Sequence, residues 1–252
     1  MIKLHRLYHS TVPDKDYSFR YDLNNKKRPS WLEFNDMSKN VQFVKITINE
    51  ESFWYRRYFE NYFFPLVSDS RDYENYYDEI AENYNKMVPQ NKKIAEFILN
   101  FLRKYDIPSE TEIIDLGAGT GIVAVELVKN GYNNIVLVDI SEECLNVAKK
   151  LKELDNCKFI KGDMNEDFGY NDNKVIICSM SLYYNSEKEL DNILKKIKSK
   201  LAERGWFICI DRHLPNSFNI NFKEVESGEF FLDTPTGNFK YFYFIGQNDK
   251  RI

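Results

Sequence analysis

Hydrophobic and polar positions change rhythm near residue 90. Before it the chain is crowded with Tyr, Phe, Asn and charge; beyond it, short β-branched runs alternate with helical patterns. Past residue 110 the segments 112–116, 135–139, 157–161, 175–179 and 206–210 are each rich in Val, Ile or Phe, which predicts buried parallel strands. Between them, windows at about 121–130, 142–154 and 186–202 carry apolar residues at three- and four-residue steps, such as Leu145, Ala148 and Leu151 or Leu190, Leu194 and Ile197. Alternating strand and helix predicts right-handed crossovers and an α/β fold, an open doubly wound, mostly parallel sheet. Its ligand site is then expected at the carboxyl ends of the strands. After Asp211 the order changes. Runs at 229–232 and 239–245 flank the turn-forming Asp233-Thr-Pro-Thr-Gly237, the pattern of a terminal antiparallel hairpin that completes seven strands. The first 90 residues offer one strand at 41–48 and an aromatic helix at about 53–64, ended by Pro65.

At 252 residues and 43% hydrophobic content, a sizeable core is affordable and global disorder is not expected. A net charge of −4 supplies no broad cationic surface, so no nucleic-acid partner is expected. No apolar run approaches the roughly 20 residues of a bilayer span, and the first residues contain no uninterrupted apolar stretch, so neither a membrane partner nor secretion is expected. Cys144, Cys157, Cys178 and Cys209 lie in apolar stretches without C-x-x-C spacing. They suggest neither a metal site nor disulfides, and they fit a reducing cytoplasm.

The segment Ile113-Ile-Asp-Leu-Gly-Ala-Gly-Thr-Gly121 places three glycines directly after a strand and before a helix, where backbone must turn tightly and approach a ligand closely. A dinucleotide fingerprint would have its third glycine at position 122, which is Ile122. Here Gly117, Gly119 and Gly121 alternate as G-x-G-x-G. With Asp115 ahead of it, this loop resembles the first motif of the class I S-adenosylmethionine-dependent methyltransferases. Later segments agree in order. Asp139, followed by Ile140, ends the second strand, and two acceptor oxygens suit the two ribose hydroxyls of a nucleoside. Lys161-Gly-Asp-Met164 resembles the segment in which a carboxylate, here Asp163, meets the adenine amino group while the next side chain, Met164, packs on the ring. The run Val175 to Tyr184, with Ser179 in it, resembles the fourth-strand segment, where many relatives have a His pair at the positions of Tyr183 and Tyr184. Tyr77-Asp-Glu-Ile-Ala-Glu-Asn-Tyr84 resembles the helix that closes over the cofactor's methionine end. The likeness spans 73–211 and implies a methyltransferase domain at 73–252, with S-adenosylmethionine bound by Tyr77, Tyr84, Asp115, Gly117, Ala118, Gly119, Gly121, Asp139, Ile140, Asp163, Met164 and Ser179. S-adenosylhomocysteine is the implied product. Tyr77 and Tyr84, two helical turns apart, share one face, as ordinary core packing would also have them.

For the acceptor, a hydroxyl generally wants a positioned base, and His213 after the fifth strand is the candidate that would make the chain an O-methyltransferase. An amine needs only acceptor oxygens, which Tyr183 or Tyr184 would provide; this tilts the expectation slightly toward nitrogen. Residues 1–72, with Trp31, Phe34, Trp54, Tyr55 and Tyr58, are expected to cap an apolar pocket for a small or peptidic acceptor, such as a natural-product intermediate. Three competitors are considered. A DNA amino-methyltransferase would need Asp/Asn-Pro-Pro-Tyr/Phe where Ser179-Met-Ser-Leu182 stands. A nicotinamide dehydrogenase is disfavoured by Ile122. A catalytically silent S-adenosylmethionine-binding module stays open. The oligomeric state is not legible.

Overall fold

The structure is a computed structural model in which residues 2–5, 19–21, 28–34, 37, 41, 43–48, 50–59, 61–65, 73–169, 171–182, 185, 187–212, 214, 218–234 and 237–249 are described. The N-terminal part forms a six-stranded antiparallel sheet in the order β1-β4-β5-β6-β3-β2: β1 (Ile2–His5), β2 (Phe19–Tyr21), β3 (Leu32–Phe34), β4 (Phe43–Ile48), β5 (Glu51–Phe59) and β6 (Tyr62–Pro65). Leu32, Phe34, Val44, Ile46, Tyr55 and Phe63 close a small core on one face. The strand expected at 41–48 is β4. The helix expected at about 53–64 is instead β5 and β6. Along β5, Tyr55 and Arg57 are buried while Arg56 and Tyr58 are half-exposed, a period of two. Aromatic side chains pack well on a pleated surface, and cross-strand pairing overrode the helical reading.

Two helices follow, α1 (Tyr73–Met87) and α2 (Asn91–Lys104), and then the larger sheet with its crossovers. The elements run β7 (Ile113–Leu116), α3 (Ile122–Lys129), β8 (Ile135–Asp139), α4 (Glu142–Lys149), β9 (Lys158–Lys161), β10 (Asn173–Ser179), α5 (Glu187–Lys200), β11 (Leu201–Asp211), α6 (Phe218–Asn221), β12 (Lys223–Thr234) and β13 (Gly237–Gln247). Their order across the sheet is β12-β13-β11-β10-β7-β8-β9. The five strands from β11 to β9 are parallel, and β13 runs antiparallel to both its neighbours. This is the expected doubly wound sheet with its terminal hairpin.

Alternate strand residues serve two cores, which is why these strands read as continuous apolar runs. Ile113, Leu137 and Ile177 face α2 and α3, against Ile94, Ile98 and Leu127. Ile114, Val136 and Ile176 face α5, against Leu190, Ile193 and Leu194. Helix α2 is absent from the expected elements, although its buried Ile94, Ala95, Ile98, Leu99 and Leu102 recur at helical spacing. The window at 142–154 is shorter than expected: α4 ends at Lys149, Leu151 is extended, and one 3₁₀ turn follows at Lys152–Leu154. Cys144, Cys178 and Cys209 are buried free thiols, and burial pushes Cys144 up to about 12. Among the described residues no helix is long and apolar enough to cross a membrane.

Helix α1 bridges the two sheets. Its Tyr76, Ile80 and Met87 pack with Phe64 of β6, and its other side lies on α4. The chain reverses its winding at β7, between β8 and β10, and the glycine loop leaves the carboxyl end of β7. That is the switch point where an open α/β sheet receives its ligand.

Candidate active site

A cavity of about 380 Å³ opens at this switch point. Four stretches that follow parallel strands line it, together with α1: Gly117 and Gly119 after β7, Asp139 and Ile140 after β8, Gly162 to Asn165 after β9, and Met180, Ser181 and Asn185 after β10. Tyr73, Glu74, Tyr77 and Tyr84 close it from α1.

The glycines do different work. At Gly119 φ is +55°, and an added Cβ would meet only Tyr84 Cε1, at 3.5 Å, so a side chain there would enter the cavity. At Gly121 φ is +77°, and a Cβ would lie 2.7 Å from Leu154 and 3.1 Å from Leu137. Close packing of α3 on the sheet, away from the cavity, is what Gly121 serves.

Asp139 holds the loop. Its Oδ2 accepts from Gly119 N at 2.7 Å and its Oδ1 from Ser141 N at 2.8 Å. Each oxygen retains a lone pair for a ligand hydroxyl. Burial pushes the Asp139 carboxyl up, and these backbone hydrogen bonds oppose that shift. Beneath the loop, Asp115 is fully buried, and neither oxygen has a hydrogen-bond partner among the described residues. Desolvation, and secondarily the charge on Asp139, push it up to about 7.

Four carboxylates, Glu74, Asp139, Asp163 and Glu189, line this cavity, and among the described residues no Lys or Arg does. An acidic, aromatic-walled cleft repels a pyrophosphate and suits a ligand that carries a sulfonium and an ammonium. The rings of Tyr77 and Tyr84 lie edge to face, 5.8 Å apart, and offer π-faces to such a cation. The residues present therefore fit S-adenosylmethionine better than a dinucleotide.

Of the residues singled out in the sequence, Tyr77, Tyr84, Gly117, Gly119, Asp139, Ile140, Asp163 and Met164 meet in the cavity. Asp115, Ala118, Gly121 and Ser179 support it without lining it. Tyr183, Tyr184 and His213 lie outside the described residues. Sequence reasoning missed Met180, whose backbone has φ of +57° and is held by a hydrogen bond from its N–H to Ile210 O at 2.8 Å. No local motif announces it; only its place directly after a buried strand does.

A second cavity, of about 350 Å³, adjoins the first and shares Tyr77, Tyr84 and Met180 with it. Arg56 and Tyr58 of β5 contribute to it, as do Tyr76 and Ile80 of α1, Gln90, Arg212, Thr234 and Tyr241. Among the N-terminal aromatics expected around an acceptor, only Tyr58 lies here. Phe34 and Tyr55 fill the core of the small sheet, Trp31 packs on Tyr62, and Trp54 lies beneath Lys45. Alternation along the strands turned those side chains elsewhere.

Residues 107–242 match the model of a family described as a methyltransferase domain. Over 143 residues the chain is 30% identical to a Geobacillus sp. (strain WCH70) protein named as a methyltransferase, covering 54% of this chain and 57% of that one. Over 151 residues it is 28% identical to the ubiquinone/menaquinone biosynthesis C-methyltransferase of Rickettsia prowazekii, covering 54% and 59%. The chain thus matches less than two thirds of the length of these relatives. Among solved structures, magnesium protoporphyrin IX methyltransferase from Synechocystis PCC 6803 with bound S-adenosylmethionine superposes with a TM-score of 0.57 at 15% identity, over 72% of this chain and 98% of that one. With the family model covering more than half of the sequence, the chain belongs to the class I S-adenosylmethionine-dependent methyltransferases.

Proposed function

We propose that the protein transfers a methyl group from S-adenosylmethionine to a small acceptor seated in the second cavity. The observation that carries this reading is that the two cavities adjoin, with Tyr77, Tyr84 and Met180 lining both. The cofactor supplies a methyl group on a sulfonium that its own charge already activates as a leaving group. The chain's part is to position the acceptor in line and to exclude water. Asp139 and Asp163 hold the ribose and adenine ends, with Met164 against the ring. Tyr77 and Tyr84 stand at the methionine end and border the acceptor site as well.

A volume of about 350 Å³ suits a small molecule or the side chain of a short peptide, and a natural-product intermediate is of that size. Tyr58, Tyr76 and Tyr241 line the second cavity, and their hydroxyl oxygens can accept from an amine, which supports a nitrogen acceptor. In this reading the N-terminal sheet caps the acceptor site through Arg56 and Tyr58, and the free thiols fit a reducing cytoplasm.

The test is transfer of labelled methyl from S-adenosylmethionine to a panel of small amines and phenols. Val88→Trp fills the second cavity from a position away from the first. It should abolish transfer and leave S-adenosylhomocysteine affinity within about twofold, a difference under ~0.5 kcal/mol. Transfer that persists in Val88→Trp would place the acceptor elsewhere. Cofactor binding without transfer to any amine or phenol would favour a silent binding module.

A further inference from the structure

The two adjoining cavities have opposite charge. Carboxylates line the cofactor cleft, whereas the described lining of the second cavity carries two guanidinium groups, Arg56 and Arg212, and no carboxylate. They come from different sheets, β5 and the end of β11, yet both reach the ring of Phe239. The Arg212 Cζ lies 4.0 Å and the Arg56 Cζ 6.0 Å from its centroid. Arg212 Nη1 donates to Tyr241 Oη at 3.2 Å, and Arg56 also stands 5.8 Å from the Tyr58 ring. Aromatic stacking orients both groups, a hydrogen bond to the uncharged Tyr241 hydroxyl also fixes Arg212, and neither has an acidic partner among the described residues. Arg28, by contrast, is paired with Glu79 at 3.4 Å.

The rest of the lining is chemically distinct. Tyr58, Tyr76, Tyr241 and Ile80 offer flat and apolar contact. Gln90 is buried, and its Oε1 has no hydrogen-bond partner among the described residues, so it is placed to accept from a donor on a ligand.

We propose that the second cavity selects an anionic acceptor, a small molecule with a flat body whose carboxylate or phosphate is held by Arg56 and Arg212. This rests on the reading of that cavity as the acceptor site. Oriented guanidinium forks match a pair of oxygens on either anion, and the hydrogen bonds they donate are charge-assisted. The division of charge also orders the reactants. An acid is drawn to the guanidinium end and kept from the carboxylate-lined cleft, while the cationic cofactor prefers the reverse.

The test uses the full chain saturated with S-adenosylhomocysteine and measures binding of benzoate, phenyl phosphate and benzamide by calorimetry. Benzoate or phenyl phosphate should bind at least about tenfold tighter than isosteric, uncharged benzamide, and whichever is tighter identifies the anion. In Arg56→Gln/Arg212→Gln that preference should vanish while S-adenosylhomocysteine affinity is retained; Arg56→Lys/Arg212→Lys should keep part of it. Benzamide binding as tightly as both anions to the wild-type protein would overturn the proposal, with no variant needed. So would an anion preference that survives in the double Gln variant. Failure of the acceptor-site reading has another signature: benzoate would still bind through the arginines, but Val88→Trp would leave methyl transfer intact.

Discussion

Ser141 Oγ donates a hydrogen bond of 2.6 Å to Asp78 Oδ1, across the boundary between α1 and the larger sheet. The same Asp78 oxygen accepts from Glu143 N at 3.1 Å, so a carboxylate from α1 caps the first turn of α4. Ser141 is itself the N-cap residue of α4, accepting from Cys144 N, and its own N–H binds Asp139. A continuous chain, Asp78 to Ser141 to Asp139, thereby joins the helix that carries Tyr77 and Tyr84 to the carboxylate that shapes the glycine loop. Ion pairs of Glu74 with Lys161 and Glu82 with Lys150, and a hydrogen bond from Thr120 to Asn85, reinforce the same contact, although the exposed Lys150 pair adds little.

Removing the link should loosen α1 without unfolding the sheet. For Asp78→Ala, loss of hydrogen bonds to a charged group is worth about 1.5–3 kcal/mol locally. Amides of 73–87 should exchange at least about tenfold faster, and S-adenosylhomocysteine should bind more weakly. Exchange that is unchanged in α1 would show that apolar packing alone holds the helix.

Asp139→Ala should weaken cofactor binding by at least about tenfold, from the same range of energies. That variant also frees Gly119 N and Ser141 N, so the ribose contact needs its own probe. Wild-type protein should therefore prefer S-adenosylhomocysteine over its 2′-deoxy analogue. Equal affinities would remove the ribose from the role assigned to Asp139.

Asp115 gives the stability of the ligand-free protein a particular pH dependence. The folded chain holds this proton up to about pH 7, whereas the ordinary carboxyl value is 3.8. As pH rises between these values the unfolded chain gives up the proton and the folded chain does not, so the group's contribution falls, and it levels off above about 7. Asp115→Asn has no proton to lose. The melting temperature of wild type relative to Asp115→Asn should therefore decline from pH 5 to pH 8. A constant difference across that range would mean that Asp115 ionises normally in the fold.

The larger sheet was legible because β7, β8 and β10 are buried on both faces and flanked by helices of clear period; their sequence carries the signal alone. The glycine loop was legible because close approach and tight turning leave no alternative to glycine at Gly119. Residues 53–64 were misread because a short aromatic run fits helix or strand until its pairing partner is known, and β4 and β6 decide that. The second cavity was hidden for a related reason. Arg56, Gln90, Met180, Arg212 and Tyr241 come from distant segments, and only the docking of α1 between two sheets brings them together. Likewise, position in a motif did not separate Gly119, which faces the cavity, from Gly121, which faces Leu154.

The proposed function places S-adenosylmethionine against Gly119, between the loop after β7 and the tyrosines of α1. Calorimetric titration of S-adenosylhomocysteine into wild-type protein and Gly119→Val tests it most directly. The wild-type chain is expected to bind one equivalent. The variant is expected to keep its fold by circular dichroism and lose the binding, because its side chain enters the cleft beside Tyr84. Unchanged affinity in folded Gly119→Val, or no binding by the wild-type chain, would contradict the claim.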